Sequence, residues 1–165
     1  DLLDLSRSDS GRLQVKKEAV PLQPLLETIV RVQGPAYGRT LELKAANDQA
    51  ALVALGDPSR LHQVLVNLVE NAHKYSTPDQ PIQLTLARVA EGLQVEVIDH
   101  GIGISSTDQP HIFERFHRGS NTGGYSGSGL GLSVVKLLVE AMGGSITVAS
   151  EPGMGSRFRI LLQSA

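Results

Sequence analysis

Between Asn67 and Tyr75, four polar residues recur at steps of three and four: Asn67, Glu70, Asn71 and Lys74. On a helix that spacing puts them on one face, because residues three and four apart stand above one another. Asparagine is a mediocre helix former, so two of them in mid-helix point either to plain solvent exposure or to a ligand. The chemistry they would serve is definite. Neutral carbonyl oxygens suit a magnesium ion whose charge is already met by phosphate oxygens, and Lys74 would meet those phosphates as a point charge.

Two other segments carry chemistry. Asp99-His-Gly101-Ile-Gly103-Ile104 follows an alternating strand pattern that places Val95, Val97 and Ile98 near the core. It reads either as a turn, with glycines at positive φ and an Asx-type bond from Asp99, or as a strand-end carboxylate that accepts the exocyclic N–H of an adenine. Gly127-Ser128-Gly129-Leu130-Gly131-Leu132 precedes a helix, where free N–H groups and the helix dipole make an anion site. Its G-x-G-x-G spacing is neither the dinucleotide fingerprint nor a P-loop. It reads as a flexible loop or, with Gly123 and Gly124, as a lid that closes over phosphates.

The elements that must position these residues follow from periodicity. Leu2, Leu3 and Leu5 before SRSDSG read as a helix end and linker, so the folded unit is expected from about residue 12. A short strand is expected at 13–20. Leu22, Leu25, Leu26, Ile29 and Val30 form a helical stripe that Gly34-Pro35 is expected to break. Short strands follow at 40–46 and 51–55. Asp57-Pro58 then opens a long amphipathic helix carrying Leu61, Val64, Leu65, Leu68, Val69 and Ala72. The runs 82–89 and 93–98 read as an antiparallel hairpin, and 101–129 as a mobile loop with one short helix around Ile112, Phe113 and Phe116. A helix at about 130–142 ends on Gly143-Gly144, and its Leu132, Val134, Val135, Leu137, Leu138 and Met142 are read as core. Strands 145–149 and 156–162 close the chain. The fold class is α+β.

Composition narrows the function. The 165 residues are 41% hydrophobic and 19% charged, enough for one core and unlike a disordered chain. Fifteen Lys and Arg against seventeen Asp and Glu give a net charge of −2, which leaves no footprint for nonspecific nucleic-acid or membrane-surface binding. The absence of cysteine removes disulfides, thiolate catalysis and cysteine-held metals, and fits a reducing compartment such as the cytoplasm. The chain opens on Asp1 in mid-pattern, as expected of a domain within a longer protein that is membrane-anchored elsewhere or not at all. No metal-ligand spacing of histidine and carboxylate appears.

Taken in order, NLVENAHKYS, DHGIGI, IFERFHRG, GSGLGLSVVKLLVEAMGG and GMGSRF resemble the N, G1, F, G2 and G3 boxes of the catalytic ATP-binding domain of bacterial sensor histidine kinases. That domain belongs to the superfamily of gyrase, Hsp90 and MutL ATPases. The resemblance covers nearly the whole chain. It implies a two-layer α/β sandwich of the Bergerat type, with a mixed, mostly antiparallel sheet covered on one face by helices and a flexible lid at about 104–128. Residues 1–11 would be the end of a dimerisation helix and its linker, and 12–165 the catalytic domain.

The resemblance also implies roles. Asn67 and Asn71 would hold the magnesium triphosphate, Lys74 and Tyr75 would line the phosphate and ribose side, and Asp99 would bind the adenine amine. Gly101, Gly103 and Ile104 would flank the base, with Ser156 nearby. Gly127, Ser128, Gly129, Leu130, Gly131 and Leu132 would wrap the phosphates, with Arg118 reaching the γ-phosphate. Glu70 would polarise the accepting imidazole, or stand solvated.

One position separates the branches. Hydrolysing relatives have a water-activating glutamate four residues before the N-box asparagine, and here that residue is Asn67. An asparagine is no base at neutral pH, so the domain is expected to keep ATP intact until a histidine arrives. His62, His73, His100, His111 and His117 lack the context of the phosphorylated histidine, which is expected on a separate dimerisation domain, and His73 and His100 are expected to face solvent. Expected partners are that domain and a response regulator, the isolated domain being a monomer. Phe113 and Phe116 are read as anchors of the lid helix, on a patch that in the family also meets the dimerisation domain. The alternatives are a nucleotide-binding docking module without phosphotransfer, a gyrase- or Hsp90-type ATPase, and an anti-sigma type Ser/Thr kinase.

Overall fold

The computed structural model describes residues 2–47, 51–120 and 129–165. The element order is α1 (Leu2–Asp9), β1 (Glu18–Pro21), α2 (Leu22–Tyr37), β2 (Leu41–Ala45), β3 (Val53–Gly56), α3 (Pro58–Tyr75), β4 (Ile82–Val89), β5 (Gly92–Asp99), α4 (Gly131–Ala141), β6 (Ser145–Glu151) and β7 (Gly155–Leu162), with a 3-10 turn at Gln109–His111. The main sheet has the order β2-β4-β5-β7-β6, in which β2 runs parallel to β4 and every other neighbour is antiparallel. A separate ribbon pairs β1 with β3. The fold is α+β, with helices packed on one face of an open mixed sheet.

Helix α3 is the element on which the rest is built. Asp57 caps it, its carboxylate accepting the Ser59 and Arg60 amides at 3.1 and 3.2 Å, and Pro58 fits the first turn, where no N–H is required. The same carboxylate accepts the Lys16 amide at 3.0 Å, which ties the stretch before β1 to the helix start. Leu61, Val64, Leu65, Leu68, Val69 and Ala72 are all buried against the sheet and α4, so the stripe read from spacing is the core face. In the sheet, Leu84, Leu86, Val95, Val97, Phe158 and Ile160 alternate toward that face and complete the core.

Several boundaries differ from expectation. The first strand is confined to Glu18–Pro21, because only those residues find a partner in β3. Helix α2 does not break at Gly34-Pro35 but runs to Tyr37 with Pro35 inside it. It ends instead at Gly38 (φ +60°), whose amide bonds back to the Pro35 carbonyl oxygen. The continuation is held by Tyr37, whose ring stacks on His73 with centroids 4.2 Å apart. His73 therefore lies in a contact between helices and is only partly exposed, whereas His100 is exposed. Ile98 points to the opposite sheet face from Val95 and Val97 and is half-buried. In α4, Val134, Val135, Leu138 and Met142 are buried, as is Val139, while Leu132 and Leu137 are only partly covered.

Candidate functional site

The polar face of α3 forms one wall of a cleft of about 530 Å³. Asn67, Glu70, Asn71 and Lys74 line it from successive turns, and Tyr75 closes the row. Solvent alone does not account for this face, since its four polar residues line a partly open cleft with Asp99 and Ser156 opposite, although Glu70 itself is exposed. The Lys74 ammonium stands 5.8 Å from the Tyr75 ring centroid, within reach of a cation–π attraction.

Asp99 sits at the end of β5, on the same side of the sheet as Val95 and Val97, and is 4% exposed. Its Oδ1 accepts the Gly101 amide at 2.8 Å, the Asx-type bond expected of a turn. The turn and ligand readings thus coexist, because the carboxylate also lines the cleft. Burial pushes its pKa above the ordinary carboxylate value, while the amides of Gly101 and Ser156 pull the other way.

Two glycines let backbone approach backbone here. A Cβ on Gly101 would collide with the Tyr75 carbonyl oxygen, and one on Gly103 (φ +70°) with that of Glu151. The Ile102 amide donates to the Tyr75 carbonyl at 3.0 Å, and the Gly153 amide to that of Ile102 at 2.7 Å. The end of α3, the loop after β5 and the turn between β6 and β7 are therefore one hydrogen-bonded unit. Gly101 does not itself line the cleft; it brings the loop close enough for Ile102, Gly103 and Ile104 to do so.

The third wall is the segment below the α4 N-terminus. Asp108 Oδ2 accepts the Ser105 hydroxyl at 2.7 Å and the Ser120 amide and hydroxyl at 2.9 and 2.8 Å. These bonds hold the Asp108 pKa down at about 2 and pin both ends of 105–120 together. Ile112 is buried in the cleft wall, and Phe113 meets Phe158 edge-on at 6.3 Å. Phe116 does not anchor the segment: it is 64% exposed at φ +62°, with its amide bonded to the Gly129 carbonyl. His117, Arg118 and Gly119 line the cleft above it, followed by Gly129, Leu130, Gly131 and Leu132 at the start of α4. The first amides of that helix have no intrahelical partner, and a Cβ on Gly131 would meet nothing within 4 Å, so the helix end is open to the cleft.

Every predicted site residue among the described ones lines this cleft except Gly101. Gly123, Gly124, Gly127 and Ser128 lie outside the described residues. The sequence did not mark Leu2, Ile102, Ile112, His117 or Gly119 as lining residues. Ile102 lay between the two singled-out glycines, and Ile112 in the apolar island, so both had a signal. Leu2 had none. It reaches the cleft because α1 is held by Asp4, whose carboxylate takes Arg60 at 3.1 Å, and by Asp9, which pairs with Arg115. Arg39 was also missed: its buried guanidinium lies under the end of α3.

Asn67 and Asn71 offer neutral oxygen ligands only, and the described residues contain no group of three or more His, Cys, Asp or Glu able to hold a metal alone. The donor set fits a cation that arrives with its charge already met by phosphate.

Residues 56–165 match the family model described as histidine kinase-, DNA gyrase B-, and HSP90-like ATPase. The chain belongs to this family. Within it, the chain is 38% identical to the autoinducer 2 sensor kinase/phosphatase LuxQ of Vibrio cholerae, over 98% of the chain and 20% of that protein. It is 36% identical to the virulence sensor protein BvgS of Bordetella bronchiseptica, over 99% of the chain and 14% of that protein. The chain thus spans a fifth or less of these two relatives. Among solved structures, full-length ShkA in complex with AMPPNP superimposes with a TM-score of 0.83 at 26% identity, covering 99% of the chain and 35% of ShkA. The mycobacterial sensor histidine kinase MprB gives 0.75 at 26% identity, over 90% of the chain and 99% of that structure. Among the described residues no helix is long and apolar enough to cross a membrane.

Proposed function

We propose that this family member is the catalytic, ATP-binding domain of a sensor histidine kinase, and that it delivers the γ-phosphoryl group of Mg-ATP to a histidine of a dimerisation domain for relay to a response regulator. The observation that carries the reading is the set of polar groups on one cleft: Asn67, Asn71 and Lys74 on one wall, Asp99 and Ser156 on the other. Bound Mg-ATP supplies an activated phosphoryl group, and the chain supplies position and charge. Asn67 and Asn71 hold the magnesium triphosphate, Lys74 and Arg118 meet phosphate charge, and Tyr75 stands at the ribose. Asp99 accepts the adenine amine. Gly103 and Ile104 lie along the base, and Gly129, Leu130, Gly131 and Leu132 offer backbone to the phosphates; Gly127 and Ser128 belong to the same loop.

Asn67 argues for transfer to a histidine over transfer to water, since no carboxylate stands at the position where hydrolysing relatives activate water. Glu70, exposed on the cleft wall, is the group assigned to orient the incoming imidazole. The use of ATP supports a cytoplasmic position for this segment.

Calorimetric titration with the imido analogue of ATP, with and without magnesium, tests the site. Saturable binding that magnesium strengthens and Asp99→Asn weakens is expected. A polypeptide extended to include the dimerisation helices should then take label from γ-labelled ATP onto histidine. Binding without labelling would favour the docking-module reading.

A further inference from the structure

Ser150, on edge strand β6, lies behind Ser156 and forms three hydrogen bonds. Its Oγ lies 2.8 Å from the Gly155 carbonyl oxygen, 2.8 Å from the Ile104 amide and 2.9 Å from the Ser156 hydroxyl. A serine hydroxyl has one proton and two lone pairs, so these contacts saturate it. The direction of each is fixed. A carbonyl oxygen only accepts, so the Ser150 proton goes to Gly155; an amide only donates, so Ile104 fills one lone pair. The remaining lone pair must receive the proton of Ser156. The opposite choice, with Ser150 donating to Ser156, would leave two oxygens 2.8 Å apart with no proton between them.

The consequence appears on the other side of Ser156, which lines the cleft beside Asp99. With its proton turned back to Ser150, the Ser156 hydroxyl faces the cleft as an acceptor only. Asp99, when ionised, is also an acceptor. Gln109 braces the arrangement, its side-chain amide donating to the carbonyl oxygens of Ile104 and Ser150 at 2.9 and 2.8 Å.

We infer that Ser150 is a specificity-positioning residue: by holding the Ser156 proton away from the cleft, it leaves an all-acceptor edge that takes a 6-amino purine and rejects a 6-oxo purine. The inference rests on the proposed nucleotide site. Adenine brings a donating exocyclic amine to this edge. Guanine brings a carbonyl oxygen, which would face acceptors with no proton available, and an unpaired buried polar group is costly. Ser150 touches neither base, and it acts through Ser156.

The test is the ratio of affinities for the imido analogues of ATP and GTP, measured by calorimetry on the chain and its variants, each verified as folded by its thermal transition. In Ser150→Ala the Ser156 hydroxyl is free to turn and donate to a 6-oxo group. The preference for the adenine analogue should then narrow by roughly three- to tenfold, the worth of one hydrogen bond. Ser150→Thr keeps the hydroxyl and should restore the parent ratio, which a merely structural loss would not predict. In a Ser156→Ala background, Ser150→Ala should change the ratio no further.

An unchanged ratio in Ser150→Ala, with the parent chain binding the adenine analogue, would overturn the role of Ser150 and leave the nucleotide site standing. The same holds if Ser150→Ala shifts the ratio equally without Ser156, since the effect would then run through Ile104. A parent chain that binds neither analogue would overturn the site and this inference together.

Discussion

The Arg39 guanidinium donates to the Thr77 carbonyl oxygen at 2.8 Å from a side chain that is itself buried. It also reaches the carbonyl of His73, one of those the helix end leaves without a donor, and those of Ser76 and Gln80 in the segment that follows. Because Tyr75 receives the Ile102 amide in the same turn, Arg39 supports the junction of α3 with the loop after Asp99. Arg39→Met should destabilise the fold by about 1.5–3 kcal/mol, the range for hydrogen bonds to a charged group, as measured by urea unfolding. Nucleotide affinity should fall with it.

Asp99→Asn should weaken binding of the ATP analogue by about tenfold or more, since a charged acceptor is replaced by an amide that is part donor. The pH dependence has a definite sign. The folded-state pKa is raised, so the ionised form needed to accept the amine is lost as pH falls through a value above 3.8. Affinity should drop in that window for the parent chain. Folding moves the opposite way: the contribution of Asp99 to stability is fullest below 3.8 and is lost as pH rises through the raised value. Titrations of affinity and of urea midpoint against pH, beside the asparagine variant, check both.

Asp108 behaves in reverse. With its pKa lowered to about 2, its contribution is present above 3.8 and disappears as pH falls toward 2. Asp108→Ala should free Ser105 and Ser120, and hydrogen exchange of the amides in 105–120 should quicken while α3 and the main sheet keep their protection.

Asn71→Ala should remove most of the gain in affinity that magnesium gives and leave binding in chelator nearly unchanged. Calorimetry in the two conditions separates these effects, and equal losses in both would reassign Asn71 to the nucleotide itself.

Helix α3, the hairpin and the glycine loops were legible because each is set by local chemistry: a capped stripe, an alternation around a turn, a glycine where a side chain would collide. Gly34-Pro35 misled because proline normally costs a helix about 3 kcal/mol, and only the tertiary contacts of the last turn, such as Tyr37 on His73, outweigh that. Phe116 looked like core by type, yet its positive φ turns it outward. Arg39, Leu2 and Ser150 carried no signal, since each acquires its role from residues that only the fold brings near. The polar face of α3 was read from spacing, its place in a nucleotide site only from the resemblance, and that Asp99 and Ser156 stand side by side opposite it follows from the pairing of β5 with β7.

The parallel pairing of β2 with β4 has a consequence during synthesis. Leu41 pairs with Ile82 and Ala45 with Leu86, so the whole of α3 must leave the ribosome before β2 has anything to pair with. β4 meets its other neighbour, β5, within one tight turn. The parallel edge of the sheet therefore closes late, and long-range pairings of this kind are slow to form. A translational pause within α3 would prolong the life of a nascent strand carrying Leu41 and Leu43 unpaired, the interval in which the growing chain is most exposed to self-association.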